Sequence, residues 1–275
     1  MLELIKDDRI LTVEELESQP HAQLLHLQDI LPILVSPDSR NVLRVSEECL
    51  SDTINEYPLI NGIPVLYPAA ISKAFIGEGL KLDYYDDPKL QYFLLSQIKQ
   101  RGEINASSND LHYQRHLFRM KECVKDCRGM VLDVGCDNVQ ISAALFNSNC
   151  RYLGLDPFRV TASTFKVIGV GEFLPFQNDT FDNVVFNTSL DHILDYYEAV
   201  QEAHRVLKKG GLLLISTLIW LQHTSLIKDS VHFHHFRDYE IDGALNAFNF
   251  TEVYRRQYSY KDDTHRYGLY LICQK

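Results

Sequence analysis

The sequence predicts an α/β fold built on a mostly parallel sheet. Two observations carry this reading. From residue 130 onward, short β-branched runs alternate with helix-like runs in regular succession. Such alternation is the pattern of parallel strands joined by crossover helices. Acidic residues also fall in one kind of place: Asp133, Asp156 and Glu172 each stand at or just beyond the end of a strand-like run. In open sheets of this kind, ligands sit outside the carboxyl ends of the strands, where the strand order reverses.

The elements follow in order. Thr12 and Glu15 have capping-box spacing, and Leu16, Leu24, Leu27 and Ile30 recur on one face, so residues 12–29 read as a helix bent at Pro20. Residues 32–68 hold five prolines and β-branched runs, and "NGIP" at 61–64 reads as a tight hairpin turn, giving a small β-hairpin module packed through Ile60, Ile63, Val65 and Leu66. Residues 90–102 and 111–124 carry apolar stripes at helical spacing and read as covering helices. Beyond them, "MVLDVG", "RYLGLD", "VIGVGE", "FDNVVFN" and "GLLLIST" read as strands. The runs "NVQISAALF" and 195–207 read as helices, the second capped by Asp195 with Glu198 three positions on. A helix and a strand pair, turning at Asn249, close the chain. The expected organisation is 1–69 for the N-terminal module, 70–127 for a helical cover and 128–275 for the main domain.

The chain has 275 residues, 45% of them hydrophobic, and a net charge of −10 from 27 basic and 37 acidic residues. No broad basic surface for DNA or an anionic membrane is expected from that balance. The first ten residues are charged and read as no signal peptide, and no run approaches the ~18 apolar residues of a membrane span, so a cytoplasmic protein is expected. Six scattered cysteines without a C-x-x-C pair fit reduced thiols.

The candidate site is assembled from strand ends. Asp133, Gly135, Cys136 and Asp137 follow the first strand; Asp156 and Pro157 follow the second, about 20 residues on, where an acid reaches a ribose hydroxyl. Gly171, Glu172 and Phe173 follow the third, and Asn187 and Thr188 the fourth. His192 is the candidate general base. The glycine loop is irregular, because Asp137 and Val139 stand where two further glycines are usual. A carboxylate at Asp137 would cost about 1 to 4 kcal/mol if it stood ~4 Å from a ligand carboxylate, and would help if it turned toward a ligand ammonium group. "HFHHF" at 232–236 puts His232 and His234 on one face of an extended segment, but two imidazoles make no zinc site and no metal is assigned. That segment, with Trp220 and His223, reads as a lid over an acceptor pocket.

The ordered set "VLDVGC", "YLGLDP", "GEFLPFQNDTFDNVVFNTSLDHI" and "EAHRVLKKGGLLLIST" resembles the class I S-adenosylmethionine-dependent methyltransferases over roughly residues 110–275. The resemblance implies a Rossmann-like, mostly parallel seven-stranded sheet with an antiparallel edge strand. It implies S-adenosylmethionine as cofactor, with Gly135 and Cys136 lining its methionine part, Asp156 holding the ribose, and Gly171 and Glu172 near the adenine. Asn187 and Thr188 would border the sulfonium and the acceptor. Residues 31–43 and 57–68 resemble a zinc-ribbon-like domain related to the activator subunit of tRNA methyltransferases, but Ser36 and Ser39 stand where its Cys-Pro-x-Cys knuckle would be, and Cys49 alone holds no zinc. The implied activity is methyl transfer to a small-molecule or carbohydrate-like acceptor, with RNA methylation and a scaffold protein on a degenerate methyltransferase fold as alternatives. A homodimer is the one assembly kept in view.

Overall fold

A computed structural model describes residues 4–46, 49–68, 110–157, 165–221, 232–260 and 263–275. The expected helix at 90–102, the lid residue His223 and part of the short connection after Asp156 lie outside these residues.

Thr12 caps α1 (Val13–Glu17) with the full reciprocal box that its spacing predicts: Glu15 N–H donates to Thr12 Oγ1, and Thr12 N–H to Glu15 Oε2. The helix ends there, which corrects the reading of residues 12–29 as one bent helix. Past Pro20 the backbone runs extended as β1 (Gln23–Leu24), beside the second strand of the main sheet, before the single turn α2 (Leu27–Ile30). Pro20 cannot continue a helix, and the sheet edge offers partners: Ala22 N–H donates to Phe146 O and Leu25 N–H to Tyr152 O.

The N-terminal module is a four-stranded antiparallel sheet of β2 (Arg44–Ser46), β3 (Cys49–Ser51), β4 (Glu56–Ile60) and β5 (Ile63–Pro64). Asn61 and Gly62 both take positive φ, 54° and 76°, as a two-residue hairpin turn requires. Where a zinc knuckle would lie, hydrogen bonds do the joining. Ser36 Oγ is 2.7 Å from Tyr57 OH, Tyr57 OH donates to Asp38, and Ser39 Oγ donates to Asp52.

The main sheet has eight strands among the described residues, in the order β1-β7-β6-β9-β10-β12-β11, with β8 also on β7. They are β6 (Gly129–Val134), β7 (Cys150–Asp156), β8 (Val167–Ile168), β9 (Phe181–Asn187), β10 (Leu207–Trp220), β11 (Thr251–Tyr260) and β12 (Asp263–Gln274). All neighbouring pairs are parallel except β10–β12 and β12–β11. The third strand is shorter than its sequence suggests: after two residues the chain turns into a single 3-10 turn at Gly171–Phe173. The fifth begins earlier, at Leu207, with an irregularity before Leu212.

The helices α3 (Leu111–Val124), α4 (Val139–Leu145), α5 (Tyr196–Val206) and α6 (Asp238–Ala247) cover the two faces. Asn138 caps α4 and Asp195 caps α5, each through two backbone amides. No helix among the described residues is long and apolar enough to cross a membrane. All six cysteines are free thiols.

Module and sheet share one apolar core, in which Leu34, Leu50 and Tyr57 join Leu132, Phe176 and Phe186. A polar clamp fixes the seam. Buried Glu202 on α5 accepts Leu174 N–H at 2.8 Å and pairs with Arg205 at 2.6 Å and with the module's Arg40 at 2.9 Å. Both guanidinium groups also donate to Leu174 O. Glu202→Ala therefore leaves a buried amide and two inward-facing cations without their acceptor, and an unfolding midpoint in urea should report a loss of about 2 to 4 kcal/mol. Glu202→Gln, which keeps the acceptor oxygen, should lose about half as much.

Candidate functional site

The carboxyl ends of β6, β7 and β9 lie side by side, and the loops that leave them touch. Gly135, with φ of 82°, ends β6 so close to the β9 loop that a Cβ there would lie 2.4 Å from Ser189 Cβ. Ser189 Oγ in turn donates to Val134 O. Only glycine fits this crossing.

Asp137 occupies the next left-handed position, with φ of 45°. Among side chains other than glycine, Asp and Asn tolerate that conformation best. The irregular loop is thus a glycine position taken by the residue type able to replace it. Its N–H donates to Asp156 Oδ2 at 3.1 Å, and its carboxylate is exposed. Part of its charge reaches Tyr113 on α3, whose phenol is pushed up by burial and then by Asp137. Val139 does not approach the ligand side at all: it is buried, with Cγ2 against Gly154 beneath the loop.

Asp156 is fully buried at the end of β7. Besides the Asp137 amide, it faces Lys166, whose Nζ is 3.3 Å from Asp156 Oδ1 in an equally enclosed position and has no hydrogen-bond acceptor of its own. Nothing in the sequence pattern singles out Lys166. Pro157 accepts the Tyr67 hydroxyl of the N-terminal module, which brings that module to the rim of the site.

Other expected residues serve the frame. Asp133 is buried and accepts the Tyr152 hydroxyl at 2.7 Å; burial, then the nearby charge of Asp156, raises its pKa to about 7. The Cys136 side chain packs inward against Gly154, and burial holds its thiol protonated. Gly171 lies where a Cβ would meet Ile193 at 2.7 Å, Glu172 accepts the Asp195 N–H at 3.2 Å, and Phe173 is exposed. Burial raises the Glu172 pKa. The structure thus brings Gly135, Asp137, Asp156, Pro157, Asn187 and Thr188 to one rim, and ties the side chains of Asp133, Cys136 and Glu172 into the supporting frame.

On the β9 side, Thr188 is exposed and has φ of 53°, an outlier for a β-branched residue. Its N–H donates to Ser216 O at 2.9 Å, which holds it there. Asn187 Oδ1 accepts from Ser216 Oγ at 2.8 Å and from His116 Nε2 at 2.9 Å. With Nε2 carrying the proton, His116 Nδ1 accepts from Tyr270 OH at 2.8 Å. His116 was invisible in sequence as anything but one residue of a covering helix; its link to a strand end more than seventy residues away exists only in the fold.

His192 lies in the 3-10 turn Leu190–His192 that follows, its ring 4.7 Å from that of His232. The expected pair of His232 and His234 does not form. His234 Nε2 turns instead to the carbonyls of Ile193 and Leu194, and His235 stacks on Trp220 with centroids 4.0 Å apart. Of the expected covering residues, Arg115 pairs with Asp8, and Arg119 donates to Asp7 O and lies over the Tyr258 ring, which makes them packing groups.

Residues 132–215 match the methyltransferase-domain family. Among curated relatives, a malonyl-acyl-carrier-protein O-methyltransferase of Coxiella burnetii is 34% identical over 96 residues, which span 33% of this chain and 34% of the relative's own length. A didemethyltoxoflavin N1-methyltransferase of Burkholderia thailandensis, solved with its acceptor and S-adenosylhomocysteine, superposes over 66% of this chain and 85% of its own with a TM-score of 0.51 at 16% identity. The cyclase SpnF superposes over 78% of this chain and 98% of its own, with a TM-score of 0.52 at 14% identity. These two share the fold, and they also mark that the fold alone does not fix the reaction.

Two outcomes follow from this geometry. Asp137→Gly should leave stability within about 1 kcal/mol, whereas Asp137→Val, whose branched Cβ resists the left-handed region, should cost about 1 to 3 kcal/mol in chemical denaturation. The second concerns pH. Unfolded, His116 takes up its proton near the ordinary 6.5; folded, burial delays this to about 4. Between these values the unfolded state holds the extra proton, so His116 lowers stability as pH falls, by about 3 kcal/mol once the pH is below both values. Asp133 acts in the opposite sense, since its raised folded pKa makes stability fall as pH rises from 3.8 toward 7. His116→Gln should therefore lose less stability than the parent between pH 7 and pH 4, and paired denaturation series at the two values measure the difference.

Proposed function

We propose that this chain, whose residues 132–215 match the methyltransferase-domain family, transfers a methyl group from S-adenosylmethionine to a small-molecule or carbohydrate-like acceptor. The observation that carries the reading is the shared rim of Gly135, Asp137, Asp156 and Thr188, three of them at positive φ, at the ends of adjacent parallel strands. At the two non-glycine positions, Asp137 and Thr188, this is strain of about 1 to 3 kcal/mol per residue, which persists where surrounding structure enforces it and clusters at ligand sites.

The residues fit such a cofactor on the side of its ribose. Lys166 Nζ is a buried donor lacking an acceptor, next to a carboxylate. A sugar hydroxyl can donate to Asp156 and accept from Lys166 at once, which would satisfy both. Because Asp156 is fully enclosed, the hydroxyl joins only if the pair opens. The cofactor supplies an electrophilic methyl group on a sulfonium; the chain must position it and the acceptor in line and exclude water. Gly135 allows close approach of the backbone, Asp137 would turn its exposed carboxylate toward the ligand's ammonium group, and Asn187 and Thr188 border the acceptor. Without a metal ion beside it, His192, at the same strand end, is the proposed proton acceptor.

One observation favours a second reading, a non-catalytic protein on this fold: the ion pair already occupies the acid that would hold the ribose. Calorimetric titration with S-adenosylhomocysteine separates the two. The methyltransferase reading expects a dissociation constant on the order of micromolar, weakened about tenfold or more in Asp156→Asn, with Asp137→Gly changing it less than tenfold. Absence of heat at millimolar ligand would sink that reading and leave the second.

A further inference from the structure

We propose that Asp191, His192 and His232 form a binding site for one divalent cation of the zinc type, beside the rim that faces the acceptor. The three side chains each offer one ligand atom, and these atoms all lie within 4.8 Å of one another. Two imidazoles and a carboxylate are the donor set of a site with three protein ligands and an open fourth position, the arrangement used for catalysis rather than for structure.

The distances leave room for an ion between the three side chains. His192 Nε2 is 4.0 Å from Asp191 Oδ1, and His232 Nε2 is 3.8 Å from the other carboxylate oxygen. Both are too long for hydrogen bonds. Ligands about 2.0 to 2.1 Å from a tetrahedral ion are separated by about 3.3 Å, and with all three donor atoms within 4.8 Å of one another each pair closes by no more than about 1.5 Å on binding.

A second observation points to a ligand independently. Asp191 has a side chain only 7% exposed, and its Oδ1 is buried with no hydrogen-bond partner, on the side that faces His192. A buried carboxylate oxygen left in that state is costly unless a cation meets it.

The frame is built before any ion arrives. Asp191 O accepts the N–H groups of Phe233 at 2.9 Å and His234 at 3.2 Å, which pins the segment bearing His232 against the turn bearing Asp191 and His192. His192 N–H closes the turn onto Ser189 O at 3.0 Å. The His234 ring adds bonds to Ile193 O and Leu194 O from the opposite side. Segments forty residues apart are thereby held in one register, and binding need not order the backbone.

The site follows Thr188 and Ser189 directly in the chain, at the end of β9. A further role rests on the methyltransferase reading: an acceptor hydroxyl on the open position would lose its proton to water at a lower pH. Its oxygen lone pair would then form the new bond to the methyl carbon, while the sulfur–methyl electron pair returns to sulfur. The cation site itself does not depend on that reading.

The test uses the full untagged chain, freed of metal with a chelator and titrated with Zn2+ by calorimetry and with Co2+ by visible absorption. The expected result is one ion per chain, with Asp191→Asn and His232→Ala each weakening the affinity about tenfold or more and shifting the Co2+ bands. Far-ultraviolet circular dichroism and the melting midpoint of the metal-free variants confirm that they are folded. Unchanged stoichiometry in the double variant, or no Zn2+ bound at tens of micromolar by the parent, overturns the site. S-adenosylhomocysteine titrated into the same samples keeps the two failures apart. Zinc binding without it leaves the site standing and removes the acceptor role; its binding without zinc removes only the site.

Discussion

A single buried charge organises the strand ends. Asp156 has none of its surface exposed, and a carboxylate taken wholly out of water must be neutralised from close by. Two groups do so: the Asp137 amide, which sets the path of the loop after β6, and Lys166, which enters from just before β8. The loop then cannot relax away from β7, and the left-handed backbone at Asp137 is the geometric consequence of aiming its N–H at that acid. Gly135 is required from the other side, because a Cβ there would lie 2.4 Å from Ser189 Cβ in the loop after β9. The rim is thus constrained from both strands that flank β6.

The same logic reaches the N-terminal module. It is held by hydrogen bonds at Ser36, Ser39, Asp52 and Tyr57, and is joined to the sheet by Glu202 and by the Tyr67 hydroxyl on Pro157. Pro157 is the residue after Asp156. The module therefore does more than cover apolar surface, since one of its side chains holds the strand end that carries the buried acid. A hairpin whose own core is small gains its stability from the larger one, which is why Leu34, Leu50 and Tyr57 belong to the core of the main sheet.

Much of the frame was legible in the sequence, for reasons that differ element by element. β6, β7 and β9 are largely buried and read as short apolar runs, at residues 131–132, 152–153 and 184–186; α3 and α5 carry stripes, and α5 has its cap at Asp195. The stretch from 12 to 29 misled because a strand of two residues has no periodicity to detect, and its apolar spacing fits a helix equally well. Side-chain direction was the second blind spot. Asp133, Cys136 and Glu172 stand at the expected strand ends, but which way a residue points after a strand depends on φ values that no spacing encodes. Lys166 and His116 were missed because each meets its partner through the fold, and neither lies in a pattern of its own.

The histidines make the same point in chemical terms. In the sequence, His232 and His234 alternate as neighbours on one face would, and an extended segment would indeed bring them together. The backbone of Phe233 and His234 is instead bound to Asp191 O, and the His234 ring is spent on two carbonyls. That leaves His232 turned toward His192, the residue first considered as a lone base. An imidazole with a second imidazole at 4.7 Å and a buried carboxylate on both is a different chemical object from a solitary histidine. Its three donors share one point in space, and three converging donors around a partnerless buried oxygen are arranged for a cation more naturally than for a proton.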